Sequence, residues 1–175
     1  MSDIDIDVVD GLGTDTYVAE AQTLYPNAIR ASSLGQMVIA IMNRLGENRL
    51  RRLRILGHGR PGWQGVADSQ STIDTDRVIA VDSAGNLINP TILALLAASF
   101  GPDGYVELHG CNVAAGQQGK ELLDQLSRIW RVPVSAGIKL QYAPAGFEGP
   151  SRTAHALVYT AGPHYKFLED LIEAP

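Results

Sequence analysis

Residues 105–130 read YVELHGCNVAAGQQGKELLDQLSRIW. The stretch begins as a strand, with Tyr105, Val106 and Leu108 around Glu107, and it stops at Gly110. From Gln117 to Trp130 the period changes. Leu122, Leu123, Leu126 and Ile129 recur at helical spacing, so they share one face and read as core. A strand, a glycine-marked turn and an amphipathic helix form the first part of a βαβ unit. Val132 to Ala136, directly after the helix, supplies the next strand.

The same alternation extends back toward residue 1. Ile4, Ile6 and Val8 alternate with aspartates, Val9 follows, and Gly11-Leu12-Gly13 breaks the strand. Thr14 or Asp15 caps a helix that Pro26 closes after Leu24. Ala28–Ser32 reads as a second short strand. Leu34, Met37, Val38, Ile41, Met42 and Leu45 then fall at helical spacing, and Gly46 ends them. Leu53, Ile55 and Leu56 form a strand that stops at Gly57-His58-Gly59. Residues 63–88 break the rhythm. Their composition predicts a small β-hairpin insertion, its tip at Ser83-Ala84-Gly85-Asn86 between Val78–Val81 and Leu87–Ile88. Pro90 opens a helix expected to run to about Phe100 with Asn89 as its cap, and Gly101-Pro102-Asp103-Gly104 is a turn. A loop over Ala143–Pro150, a strand over Ala154–Thr160 and a helix over 165–173 complete the reading. The whole predicts a single α/β domain over residues 1–175 with a mostly parallel sheet. In such sheets ligands bind beyond the carboxyl ends of the strands.

Composition narrows the function classes. The chain has 175 residues, 45% hydrophobic and 19% charged, as expected of one soluble domain. A net charge of −5 argues against nucleic acid as the main partner. A single cysteine, Cys111, excludes an internal disulfide framework and a cysteine-rich zinc site. The first residues are acidic and alternating, unlike a signal peptide, and the longest apolar stretch, Ile92–Ala98, is far short of the roughly 20 residues of a membrane span. The expectation is a cytoplasmic protein with no membrane partner, exported, if at all, by a route without a cleaved signal.

Two strands end in unusual chemistry: Ile55-Leu56-Gly57-His58-Gly59 and Val106-Glu107-Leu108-His109-Gly110-Cys111-Asn112. A thiol is largely protonated at neutral pH, and a nearby imidazole can hold the thiolate or protonate a leaving amine. Backbone amides at the strand ends, those of Gly59 and Cys111, can face the oxyanion of a tetrahedral intermediate. This chemistry needs neither a metal nor an organic cofactor.

These elements resemble the clan of cysteine peptidases that contains caspases, legumain, gingipains and separase. More specifically, Gly110-Cys111-Asn112-Val113-Ala114-Ala115-Gly116 and His58-Gly59-Arg60-Pro61-Gly62 are similar to the two motifs of a caspase-like bacterial domain often found near the N-termini of very large surface proteins. The resemblance covers roughly residues 4–137, and the spacing of His58 and Cys111 is close to the ~50 residues of caspases. It implies a three-layer α-β-α sandwich of caspase-hemoglobinase type. It also implies a cysteine endopeptidase acting on a protein or peptide substrate through an acyl-enzyme. By position, His58 corresponds to the general acid/base, Cys111 to the nucleophile, and the Gly59 and Cys111 amides to the oxyanion hole. His109, two residues before the nucleophile, corresponds to a residue lining the pocket for the substrate's P1 side chain. Caspases have Gln there and legumain Glu, so P1 specificity does not transfer. Arg60, Trp63 and Asn112 complete the expected substrate-binding set.

Plainer readings stand beside these. Gly57–Gly62 matches G-x-G-x-x-G, but Pro61 and the strand-like residues after it do not open a helix, which excludes a dinucleotide site. His58, His109 and Cys111 make a cramped zinc set. Arg49, Arg51, Arg52 and Arg54 read as the solvated start of a strand facing the aspartates rather than as a phosphate site. Trp63 either packs under the insertion or walls a peptide cleft. Asp68, Asp74 and Asp76 would select a basic P1 residue, and Arg60 or Arg152 an acidic one. His155 and His164 read as structural or exposed. The alternative to an enzyme is a catalytically inactive module that holds a peptide or strand of a partner in the same cleft; an effector or toxin domain delivered between cells is a third reading.

Overall fold

The computed structural model of the chain describes residues 1–67, 74–141, 147 and 149–155. Its main elements are strand β1 (Asp3–Asp10), helix α1 (Thr16–Leu24), β2 (Ile29–Ala31), α2 (Leu34–Leu45) and β3 (Arg49–Leu56). Then come three short strands, β4 (Gly59–Arg60), β5 (Trp63–Gly65) and β6 (Val78–Ala80). Helix α3 (Pro90–Ala94), β7 (Phe100–His109), α4 (Gly116–Trp130), β8 (Val134–Gly137) and β9 (Ser151–Ala154) follow. Among the described residues the main sheet has six strands in the order β2-β1-β3-β7-β8-β9. All its pairs are parallel except β8 with β9.

The sheet's two faces differ because β1 alternates. Ile6 and Val8 point one way, with Leu53 and Ile55 of β3, Val106 and Leu108 of β7, and Val134 and Ala136 of β8. They pack with Leu34, Met37, Val38 and Ile41 of α2 and Leu122, Leu123 and Leu126 of α4 in one continuous core. Each such side chain fully buried stabilises the fold by roughly 1.5–3 kcal/mol. On the other face Val9 and Leu56 meet Ala21 of α1 in a second, smaller cluster. Helices therefore lie on both faces of a mostly parallel sheet, the expected α/β arrangement.

Below that small cluster the second face carries charge. Asp3 lies opposite Arg49, Asp5 opposite Arg52 and Asp7 opposite Arg54. Ion pairs join Arg49 to Asp3 at 3.0 Å, Arg51 to Asp5 at 2.8 Å, Arg52 to Asp7 at 3.2 Å and Arg54 to Glu107 at 3.1 Å. The arginine run is thus a cross-strand ladder, in which opposite charges sit directly opposite or diagonal.

Several boundaries depart from expectation. The helix expected from Pro90 to about Phe100 is two short pieces, α3 and a 3₁₀ turn over Ala97–Ser99. Leu93 and Leu96 are both fully buried, and that spacing of three suits the i→i+3 geometry of Leu96 N–H to Leu93 O and Ser99 N–H to Leu96 O. The Trp130 indole also takes the Leu93 carbonyl at 2.8 Å. Asn89 is not a side-chain cap: its backbone is left-handed, with φ 54°, and its amide donates to Thr75 O. The expected turn at residues 101–104 lies inside β7, where Phe100 faces Leu50 and Tyr105 faces Arg52, so the four residues between them stand against the single Arg51 and interrupt the register.

The insertion is a three-stranded antiparallel sheet that starts at Gly59, earlier than the expected residue 63, because β4 folds back on β5 through Pro61-Gly62. Its hairpin tip is where it was expected, with Val81 paired to Leu87. Of the strand expected over 154–160 only Ala154 and His155 are described; β9 runs from Ser151 to Ala154, so the strand that pairs with β8 begins earlier than expected. Asp68, residues 156–160 of that expected strand, most of the expected 143–150 loop, His164 and the residues of the helix expected over 165–173 lie outside the described residues.

Candidate functional site

The strand order contains a switch. The chain leaves β1 toward β2 on one side, and leaves β3 toward β7 on the other. The crevice beyond the carboxyl ends of β1 and β3 is where such a sheet opens to a ligand. A cavity of about 260 Å³ lies there, lined by Thr16, Tyr17, Glu20, Gly57, His58, Cys111 and Gln141. Its walls come from segments that follow β1, β3, β7 and β8 in turn.

His58 and Cys111 reach one cavity because two backbones touch. A Cβ on Gly59 would stand 2.7 Å from Gly110 C and 2.8 Å from Cys111 N, and one on Gly110 would stand 2.9 Å from Gly59 Cα. Only glycine on each side permits that approach. β3 and β7 are paired up to Leu56 and His109, and the glycines let the segments just beyond those ends stay in contact, which keeps the Gly59 and Cys111 amides close together.

His58 Nε2 lies 2.8 Å from Asp15 Oδ2. The other oxygen of Asp15 accepts the Val18 N–H at 3.2 Å, so Asp15 also caps α1. Burial pushes the Asp15 carboxyl up, but the bonds from His58 and Val18 outweigh it and hold the group below the ordinary aspartate range. The Tyr17 ring packs at a tilt on the His58 ring, 5.9 Å between centroids, while its hydroxyl donates to His109 O at 2.6 Å. Before them, Asp10 is buried and its Oδ1 accepts the Leu12 and Gly13 N–H groups at 2.9 and 2.7 Å, shaping the loop that delivers Asp15. In the sequence alone Asp15 is one of two candidate caps, and Asp10 and Tyr17 carry no evident role. The available signal was an aspartate at a helix start directly beyond a parallel strand.

Cys111 is partly buried and clasped by Gln141, whose N–H donates to Sγ at 3.3 Å while Sγ donates to its carbonyl at 3.4 Å. The clasp continues a zipper in which Asn112 N–H meets Lys139 O and Ala114 N–H meets Gly137 O. Asn112 sits in the left-handed region, with φ 56°, which asparagine tolerates better than most residues.

The other residues expected to bind substrate are not among those lining this cavity. His109 is 2% exposed; its ring stacks on Phe147 at 4.4 Å and its Nε2 lies 3.3 Å from Glu107 Oε2. Trp63 is buried with Val78 and Ala80 in the small sheet, which favours packing over a cleft wall. Arg60 lies over the Trp63 ring at 4.9 Å, and Arg152 donates to Ala114 O and Gly116 O. Among the described residues no group of three or more His, Cys, Asp or Glu side chains is placed to hold a metal ion, and no helix is long and apolar enough to cross a membrane.

A family model described as a domain of unknown function, DUF4347, matches residues 14–141. The chain belongs to that family. The span matched to DUF4347 contains every residue that lines the cavity, from Thr16 to Gln141. No curated protein and no solved structure matches the chain.

Proposed function

We propose that this DUF4347 chain is a cysteine endopeptidase of caspase-like fold, with Cys111 as nucleophile and His58 as general acid/base. The observation that carries the reading is that His58 and Cys111, from separate strand ends, line one cavity at the sheet's switch point. In this reading Cys111 Sγ attacks the scissile carbonyl and its proton passes to His58. The tetrahedral oxyanion forms toward the Gly59 and Cys111 amides. His58 then protonates the departing amine, leaving a thioester, and a water deprotonated by His58 hydrolyses it and restores the thiol.

The test is cleavage of a fluorogenic peptide library by the full chain. Cys111→Ala abolishes cleavage and His58→Ala lowers it by about 10²-fold or more, both with unchanged circular dichroism. Retained cleavage in Cys111→Ala sinks the reading. A catalytically inactive binding module is favoured by one observation, the two-sided clasp of Sγ by Gln141. Iodoacetamide labelling at neutral pH separates the two. A peptidase labels faster than its His58→Ala variant, whereas a structural thiol labels equally slowly in both.

A further inference from the structure

We propose that Asp15 is the positioning residue for His58, holding the neutral imidazole as the Nε2–H tautomer so that Nδ1 is the nitrogen that exchanges protons with Cys111. The inference deepens the peptidase reading and rests on it for its consequence, though not for its geometry. Asp15 Oδ2 is 2.8 Å from His58 Nε2, and an ionised carboxylate only accepts hydrogen bonds. The proton between them therefore belongs to Nε2.

The carboxylate is not free to turn away. Its Oδ1 takes the Val18 N–H at the start of α1, so a single side chain ties the end of β3 to the helix that follows β1. Tyr17, two residues on, packs against the imidazole and is anchored through its hydroxyl to the carbonyl of His109 at the end of β7. The first turn of α1 thus fixes both the tautomer and the tilt of His58. During attack the imidazole takes the thiol proton on Nδ1, and Asp15 then faces the imidazolium it helps to stabilise. Asp15 gains no proton in the step, and the same proton leaves with the amine product.

The decisive variant is Asp15→Asn. Asparagine still caps α1 through its carbonyl oxygen, which leaves its NH₂ toward His58; the amide can only donate there, so Nε2 becomes the acceptor and the proton moves to Nδ1. Nitrogen-15 NMR of the imidazole reads the tautomer directly, without any substrate. The expected result is Nε2–H in the parent and Nδ1–H in Asp15→Asn. Asp15→Ser, which caps but is too short to reach the ring, gives a mixture, with circular dichroism unchanged in both variants. Cleavage by Asp15→Asn falls about 10²-fold or more in kcat with little change in KM. Nε2–H in all three proteins, or Nδ1–H in the parent, overturns the proposal. If the parent cleaves nothing but the tautomers follow this pattern, the peptidase reading fails while the role of Asp15 in setting the imidazole stands.

Discussion

Gly59 and Gly110 are where single atoms decide the site. A Cβ on Gly59 would stand 2.5 Å from Val113 Cγ2 as well as against the Gly110 and Cys111 backbone, and one on Gly110 would stand 2.8 Å from Gln64 Oε1. Each glycine meets backbone of the other's segment as well as the Val113 side chain, so full relief requires the segments just beyond β3 and β7 to separate. Gly59→Ala or Gly110→Ala is expected to destabilise the fold by about 1–3 kcal/mol in urea unfolding, as other overpacked cores do. Each also slows iodoacetamide labelling of Cys111 relative to the parent, because His58 is carried away with its strand. Unchanged labelling in both would show that the two backbones need not touch. The glycines themselves were legible in the sequence as turn signals. Their mutual contact was not, because nothing local ties residue 59 to residue 110.

At the scale of elements, the charged ladder on β1, β3 and β7 gives the sheet a pH dependence. The His109 hydrogen bond holds the Glu107 carboxyl down, burial opposes it, and the Arg54 guanidinium adds to the lowering, leaving Glu107 at about 2 against an ordinary 4.5. The unfolded chain therefore binds this proton first as pH falls. The stabilisation is complete above the ordinary value and is lost as pH drops from about 5 toward 2, a change of about 1–2 kcal/mol for a carboxyl that solvent partly screens. Urea unfolding between these limits should show the loss in the parent and a flatter profile in Glu107→Gln. Equal slopes would mean that Arg54 and His109 do not single out the charged carboxylate. Strand pairing explains why this was half legible. Alternating Ile and Asp in β1 marks one polar face, and the arginines of β3 suggest its partner. The pairing of Glu107 with Arg54 requires β7 to lie beside β3, which depends on the crossover through the insertion and α3.

At the scale of the whole molecule, the cavity exists only where four segments distant in sequence converge, and none of them encloses it alone. Its chemistry should therefore disappear with the sheet rather than before it. The labelling advantage of the parent over His58→Ala is expected to collapse at the same urea concentration that removes the far-ultraviolet dichroism, as a two-state domain requires. An earlier collapse would show that the crevice opens while the sheet persists. Periodicity was sufficient for the alternating strands and helices, for the two strand ends that carry His58 and Cys111, and for the insertion between them, because those follow from local spacing and turn chemistry. It did not reach the division of residues 90–99 into two short turns, where the burial of Leu93 and Leu96 outweighs the helical start signalled by Pro90. Nor did it reach the partner of His58. Asp15 carries the same local signature whether it caps a helix or also holds an imidazole, and the strand order that places β1 beside β3 brings the second role into being.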